Sequence, residues 1–245
     1  MLFKSKAVII KSTRFSETSI ITRLYTQSHG VLSFHVPGVY SRKSSFKPSY
    51  FQPLQIVEID FYYRQNKNLL KLREIRIVLS SQHLSPSVNK TALAMIISEV
   101  IYKTVKEEEK NENLFRFLYE SISLLHNSDG ALHNFLLFFL LHYTYYIGFS
   151  PSGRYSDHTP VFNLLQGRFT AGGKEHELTM SKSESRMLSD ILELKMQDFN
   201  SIKTEPEQRH QLLNHLISYY EIHISGFSNL NSYTVLREVF LSASN

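Results

Sequence analysis

Apolar residues alternate with polar ones along the first part of the chain, then from about Ser80 recur at every third or fourth position. The first period is that of a strand buried on one face, the second that of a helix with one buried stripe. KAVIIKS (residues 6–12) is a short β-branched run, and TSIITRLYT (18–26) sets Ile20, Thr22 and Leu24 on one face and Ile21, Arg23 and Tyr25 on the other. His29-Gly30 marks a turn, after which Leu32, Phe34 and Val36 alternate. LQIVEIDFYY (54–63) and LLKLREIRIVL (69–79) follow, parted by a polar turn at 64–68. In the second of them Leu70 and Leu72 oppose Lys71 and Arg73. Five short strands in about eighty residues predict a small closed barrel, because closure removes exposed edges. An OB-type barrel fits the count, and an SH3-like barrel is the other solution.

Beyond Ser80, a helix is expected to begin at Pro86 with Ser85 as its cap, carrying Leu93, Ile96, Ile97, Val100, Ile101 and Val105 at helical spacing. Glu107–Glu109 reads as its solvated end. NLFRFLYESISLLHN (113–127) and ALHNFLLFFLLHYTYYIG (131–148) are further helices, the second apolar nearly all round and therefore central; Gly148 and Pro151 end it. Residues 149–179 lack helix signals. Helices resume at 181–199, with Ser181 as cap and Glu184 three positions on, and continue at 205–224 and 231–242. The predicted fold is α+β and multidomain: an N-terminal five-stranded OB-type β-barrel over residues 1–79, then an all-α helical domain over 80–245 with an irregular insertion at about 149–179.

Charge sharpens this division. Residues 1–79 hold thirteen Lys/Arg against four Asp/Glu, a net +9, whereas 80–245 hold fourteen against eighteen, a net −4. Such one-sidedness points to a polyanion, and to nucleic acid before an acidic membrane surface, on the basic part. There is no cysteine, so disulfides and thiolate metal sites are excluded and a reducing cytoplasm is expected. The amino terminus has no apolar run of signal-peptide length, and the most apolar segment, Phe135 to Ile147, is too short to span a bilayer.

Enzymatic signatures are missing. GRFTAGGK (167–174) resembles a phosphate-binding loop, but Gly173 stands where its lysine belongs and Lys174 precedes Glu175 rather than Ser or Thr. A turn between two short strands explains it. Asp157, His158, Glu175, His176 and Glu177 could supply metal ligands were the segment to fold back, without any ligand-setting spacing; surface polarity explains them more simply. No GxSxG occurs, and His133, His142, His215 and His223 lie on expected helices without a partnered motif.

The informative stretch is GVYSRKSSFKPSYFQP (38–53), in which Arg42, Lys43 and Lys47 are interleaved with Tyr40, Phe46, Tyr50 and Phe51, and no acid lies between Glu17 and Glu58. Cations neutralise phosphates, and aromatic rings stack on unpaired bases whatever their identity. The expected nucleic-acid-binding residues are the cations Lys11, Arg14, Arg23, Arg42, Lys43, Lys47, Lys71 and Arg73 with the rings Tyr40 and Phe46. The alternative for Tyr40, Phe46 and Phe51 is that they plug one end of the barrel.

AVIIKSTRFSETSIITRLYTQSHGVLSFHVPGVYSRKSSF (7–46) resembles the amino-terminal signature of the RecO recombination-mediator family. The resemblance rests on Arg14, Phe15, Glu17 and Ser19, on Tyr25-Thr26 closing a strand, on the His-Gly turn, on Pro37-Gly38, and on Arg42 and Lys43. YYIGFSPSG (145–153) and ISYYEIHISGFSNLNSYTVLREVF (217–240) are similar to later elements of that family. The resemblance implies an OB barrel with a helical domain and no nucleotidase activity, and the missing motifs make no case for an enzyme or a cofactor. It also implies binding to single- and double-stranded DNA and annealing of complementary strands. With RecR, such a protein helps load recombinase onto DNA covered by single-strand-binding protein, whose acidic C-terminal tail docks on the helical domain. Local positive charge directs that tail towards Lys103, Lys106 or Arg116. The four-cysteine zinc site of many members has no counterpart here, so segment 153–177 is expected to hold by packing or hydrogen bonds. Two other functions remain: an OB-fold scaffold for an acidic protein partner, and a metal-dependent hydrolase using the 157–177 cluster.

Overall fold

A computed structural model of the chain describes residues 1–65, 67–78, 88–106, 109–128, 130, 132–172 and 178–233. Residues 1–126 and 230–233 belong to one compact unit, and 127–229 form a second. The expected boundary at 79–80 and the helix start at Ser85-Pro86 lie outside the described residues, as do Glu107, Glu108 and the last twelve positions.

In the first unit, strands β1 (Leu2–Arg14), β2 (Ile20–Thr26), β3 (Gly30–Val36), β4 (Ile56–Tyr62) and β5 (Leu70–Ile77) close in the order β1-β2-β3-β5-β4. β3 and β5 pair in parallel, Phe34 with Leu70 and His35 with Lys71, and every other junction is antiparallel. That order decides for the OB-type barrel over the SH3-like one. β1 begins earlier than the β-branched run suggests, because Leu2 through Val8 pair with Tyr62 through Ile56 and so gain a ladder. The alternation holds inside: Ala7, Ile9, Ile20, Leu24, Leu32, Phe34, Val36, Val57, Ile59, Phe61, Leu70, Leu72 and Ile75 fill the interior. Between Leu72 and Ile75 the register slips against Asp60-Phe61, and two successive residues, Arg73 and Glu74, face outward. A bulge of this kind inserts one residue and re-aims its neighbours.

Helix α1 (Val88–Thr104) lies against β1, burying Leu93, Ile96, Ile97, Val100 and Ile101. Helix α2 (Glu112–Asn127) is capped by Asn111, whose Oδ1 accepts from the Leu114 amide at 3.0 Å, and Phe115 stacks on Tyr25 of β2 with centroids 6.3 Å apart. At 230–233 the chain returns to this unit, and Glu99 of α1 accepts from the amides of Asn231 (3.1 Å) and Ser232 (2.8 Å).

The second unit is built on α3 (Phe135–Tyr146), in which Phe135 to Leu141, Tyr143 and Thr144 are all buried. Its central place follows from an apolar surface on every side. A hairpin of β6 (Val161–Asn163) and β7 (Arg168–Thr170), helix α4 (Lys182–Leu192) and helix α5 (Pro206–His223) complete it. The capping box expected at α4 forms: Ser181 Oγ accepts from the Glu184 amide at 3.3 Å, and Glu184 Oε2 accepts from the Ser181 amide at 3.0 Å. This helix stops at Leu192 rather than 199. The chain then turns through a 3-10 segment, and Phe199 reaches the edge of Phe135 at 5.5 Å, a tertiary contact that overrides helix continuation. No helix among the described residues is long and apolar enough to cross a membrane.

Candidate nucleic-acid interface

The turn between β1 and β2 is tied by its own backbone. Phe15 N donates to Ser19 O (3.0 Å), and Arg14 donates from Nε to Ser16 O (3.2 Å) and from Nη2 to Glu17 O (2.8 Å). With the backbone groups satisfied inside the turn, the Phe15 ring stands 64% exposed, its only ring neighbour among the described residues being His35 of β3 at 5.4 Å, edge to face. The β3–β4 loop joins the same end of the barrel. Tyr40 N donates to Thr18 O at 3.2 Å, and the Arg14 guanidinium lies over the Tyr40 ring, 5.0 Å from its centroid.

This loop answers the question its rings pose by dividing them. Phe51, on a 3-10 turn (Pro48–Phe51), is buried in the barrel core, and Phe46 and Tyr50 pack on that core half-buried, with Phe46 6.5 Å from Phe51. Tyr40 is left outside. Gly38 has φ 76°, a conformation only glycine adopts cheaply, and Ser41 N closes the turn on Gly38 O at 2.8 Å. Arg42, Lys43 and Lys47 follow, all exposed.

A second group lies across the barrel wall. Strand register places Tyr62 beside Lys71, Lys71 beside His35, and His35 beside Ile21. All four face outward on neighbouring strands, which are spaced about 4.8 Å apart. The row therefore leads from the β4–β5 turn to the ring of Phe15. Lys71 and Arg73 are exposed on it and just beyond it. Phe15, His35 and Tyr62 were not in the sequence-derived set; an aromatic inside the polar turn RFSETS was the available signal for the first, whereas only register brings the other two into the row.

Lys11 and Arg23 go elsewhere. Lys11 Nζ lies 4.2 Å and Arg23 Cζ 5.2 Å from the ring centroid of Tyr102 on α1, and Arg23 Nη2 donates to Val105 O at 3.3 Å. Lys6 likewise lies over Tyr119 of α2 at 5.1 Å. The ten expected residues thus fall into a loop group (Arg14, Tyr40, Arg42, Lys43, Phe46, Lys47), a wall group (Lys71, Arg73), and a pair beneath the helices.

In the second unit, segment 154–172 holds by hydrogen bonds and ring packing. Ser152 N donates to Gly167 O (2.9 Å), Thr159 Oγ1 donates to Arg154 O (2.7 Å), and Phe162 meets Phe169 at 5.2 Å and Tyr219 at 5.5 Å. Glu175, His176 and Glu177 lie outside the described residues, and no group of three metal-ligating side chains assembles among those described. With no cysteine in the chain, the residues present do not fit a four-cysteine zinc site. His142, His215 and His223 each have a partner: Ile191 O at 3.1 Å, Glu184 Oε1 at 2.7 Å and Leu164 O at 2.7 Å. Lys103 pairs with Glu99 at 3.9 Å.

Comparison with known proteins agrees with this architecture. Residues 1–81 match the family described as Recombination protein O N terminal, and residues 86–232 match Recombination protein O C terminal. Proteins named DNA repair protein RecO are similar over 98% of this chain and the whole of their own length. Those of Flavobacterium johnsoniae, Christiangramia forsetii and Flavobacterium psychrophilum are 36%, 35% and 34% identical to it. A closed OB-type barrel followed by helices, matched from end to end by these relatives, places the chain in the RecO family of DNA repair proteins.

Proposed function

We propose that the chain is a recombination mediator that binds single-stranded DNA on the barrel and anneals complementary strands, without a catalytic centre or cofactor of its own. The observation that carries this reading is the meeting, at one end of the barrel, of exposed cations (Arg42, Lys43, Lys47) with two exposed rings, Tyr40 on the same loop and Phe15 on the β1–β2 turn; between Glu17 and Glu58 the sequence holds no acid to neutralise those cations. Lysine and arginine on the phosphates release counterions, and two strands so neutralised repel each other less. Rings hold bases unstacked and open to a complementary strand. The barrel is the binding domain and the helices that follow it recruit helpers. Those helpers are RecR and the acidic tail of single-strand-binding protein, and the outcome is recombinase loading in the cytoplasm. Duplex DNA binds the same cations through its phosphates alone.

A strand-annealing assay, run with bare DNA and with DNA covered by single-strand-binding protein, tests the reading. Annealing should be accelerated in both cases, and added RecR should raise recombinase loading on the covered strand. An acidic peptide that binds more tightly than single-stranded DNA, with no acceleration of annealing, would overturn it in favour of a protein scaffold.

A further inference from the structure

Leu54 is the one non-glycine residue of the barrel unit, among those described, whose backbone is left-handed, at φ 58°. It stands where the β3–β4 loop enters β4, and it is wholly buried. A bulky L-residue adopts this conformation at a cost, so it persists only where its surroundings over-determine it. Some of those constraints are backbone. Leu54 N donates to Ile9 O (2.9 Å), Ile9 N donates to Gln55 O (3.0 Å) and Gln55 N donates to Gln52 O (3.1 Å), beside the point where the pairing of β1 with β2 slips between Ile9 and Lys11. Three residues before Leu54, the Phe51 carbonyl accepts from Ser12 Oγ at 3.0 Å. The remaining constraint comes from another element. The Leu54 carbonyl accepts from the ring of His126, near the end of α2, and Lys90 of α1 donates to the His126 carbonyl at 3.0 Å. Burial holds that imidazole below its ordinary pKa, a shift that the hydrogen bond to Leu54 opposes and Lys90 reinforces. At neutral pH the ring is therefore an uncharged donor with one N–H.

We propose that His126 is a positioning residue for the β3–β4 loop: its hydrogen bond holds Leu54 in the left-handed conformation that directs Arg42, Lys43 and Lys47 outward beside Tyr40. The loop has two anchors of unequal kind. At its start Tyr40 N donates to Thr18 O at 3.2 Å and the Tyr40 ring meets Arg14, both at the surface. At its end Leu54 is buried and strained. Without the His126 donor, rotation about φ to the ordinary negative region relieves that strain and swings the chain ahead of it. The loop then has two arrangements, and α2 biases which of them is populated. The inference rests on the single-strand reading above only for its effect on DNA; its effect on the loop stands apart from that reading.

Amide hydrogen exchange and oligonucleotide binding, both on the full chain, test the proposal together. His126→Phe keeps the ring volume and loses the donor; His126→Asn and His126→Gln keep an N–H, one near the place of each ring nitrogen. With His126→Phe the amides of Tyr40, Ser41, Leu54 and Gln55 should exchange faster, while those of Ile59 and Phe61 in β4 stay protected. Affinity for an oligothymidylate of about ten nucleotides should fall about fivefold, the net worth of one hydrogen bond. The dependence of log K on log salt should keep its wild-type slope, because the bound loop makes the same phosphate contacts and only the competent fraction has changed. At least one of the two donor variants should return both readouts to wild type. A lowered thermal midpoint with loop exchange and affinity unchanged would make His126 a core residue and overturn the proposal, as would failure of both donor variants to rescue. Should His126→Phe not fold, His126→Ala provides the same comparison. If the wild-type protein does not bind the oligonucleotide, the functional reading falls, and the exchange rates still decide the role of His126.

Discussion

The guanidinium of Arg14 stands 5.0 Å from the ring centroid of Tyr40, joining the β1–β2 turn to a loop that leaves the barrel more than twenty residues later. An exposed cation–π pair contributes about 0.5–1 kcal/mol, enough to bias a loop and too little to hold a fold. Tyr40→Ala should therefore lower stability by less than about 1 kcal/mol in urea denaturation, yet weaken single-stranded DNA about fivefold or more. Stability lost with affinity intact would make the pair a loop anchor and nothing more.

On the proposed reading, the cations of the loop act as charges and not as readers of sequence. Replacing Arg42, Lys43 and Lys47 by alanine should weaken binding to every oligonucleotide composition alike and reduce the salt slope by about 2 for a single strand. Fluorescence anisotropy across a salt series measures both. A slope equal to that of the wild-type protein would remove the loop from the interface.

Tyr102 is expected to serve stability alone. Its ring covers Lys11 and Arg23, and Arg23 Nε is buried without a hydrogen-bond partner among the described residues. Tyr102→Ala should cost about 1–2 kcal/mol, the upper range for a desolvated cation–π contact, with the salt slope for DNA unchanged. A changed slope would return Lys11 and Arg23 to the DNA-binding surface.

Gly167 turns the chain between β6 and β7 at φ 64°, and a Cβ there would stand 2.9 Å from the Tyr219 hydroxyl, which itself donates to Phe149 O at 2.6 Å. Gly167→Ala meets the left-handed penalty of roughly 1–2 kcal/mol and must also displace that hydroxyl. Its urea midpoint should fall by more than that of Gly130→Ala, where a Cβ meets nothing within 4 Å.

Glu184 supplies a pH dependence. Its burial alone would raise the carboxyl pKa, but hydrogen bonds from the Ser181 hydroxyl and amide, with His215 beside it, outweigh this and leave the pKa below its ordinary value. A lowered folded-state pKa stabilises the protein fully above the unfolded value, about 4.3, and that contribution is lost as the pH falls through the folded value. Denaturation at pH 7 should find Glu184→Gln less stable than wild type, and the two should converge as the pH drops below about 4. Parallel curves down to pH 3 would mean that the carboxylate contributes no linkage.

Much of this molecule was legible from periodicity because its elements obey simple alternation. The barrel interior reads directly from Leu32, Phe34, Val36 and from Leu70, Leu72, and the α4 cap from Ser181 and Glu184. What alternation hides is which outward face meets another element. Arg23 and His35 are each an outward polar residue on a strand; one lies against Tyr102 and the other beside an exposed phenylalanine. The end of α4 was illegible for a similar reason: the chain leaves the helix after Leu192, and Phe199 meets the edge of Phe135, a contact far away in sequence.

By itself, then, the order of residues determined the five strands, the bodies of helices α1 to α5 and the excess of positive charge on the amino-terminal part, all of which follow from local period and composition. Only the tertiary structure decided the parallel closure of β3 on β5, and with it the row Tyr62–Lys71–His35–Ile21, because ladder partners are set by how strands close in space. It also sorted the rings of the β3–β4 loop, burying Phe51 and leaving Tyr40 outside, since a barrel end has room for few side chains and packing chooses among them.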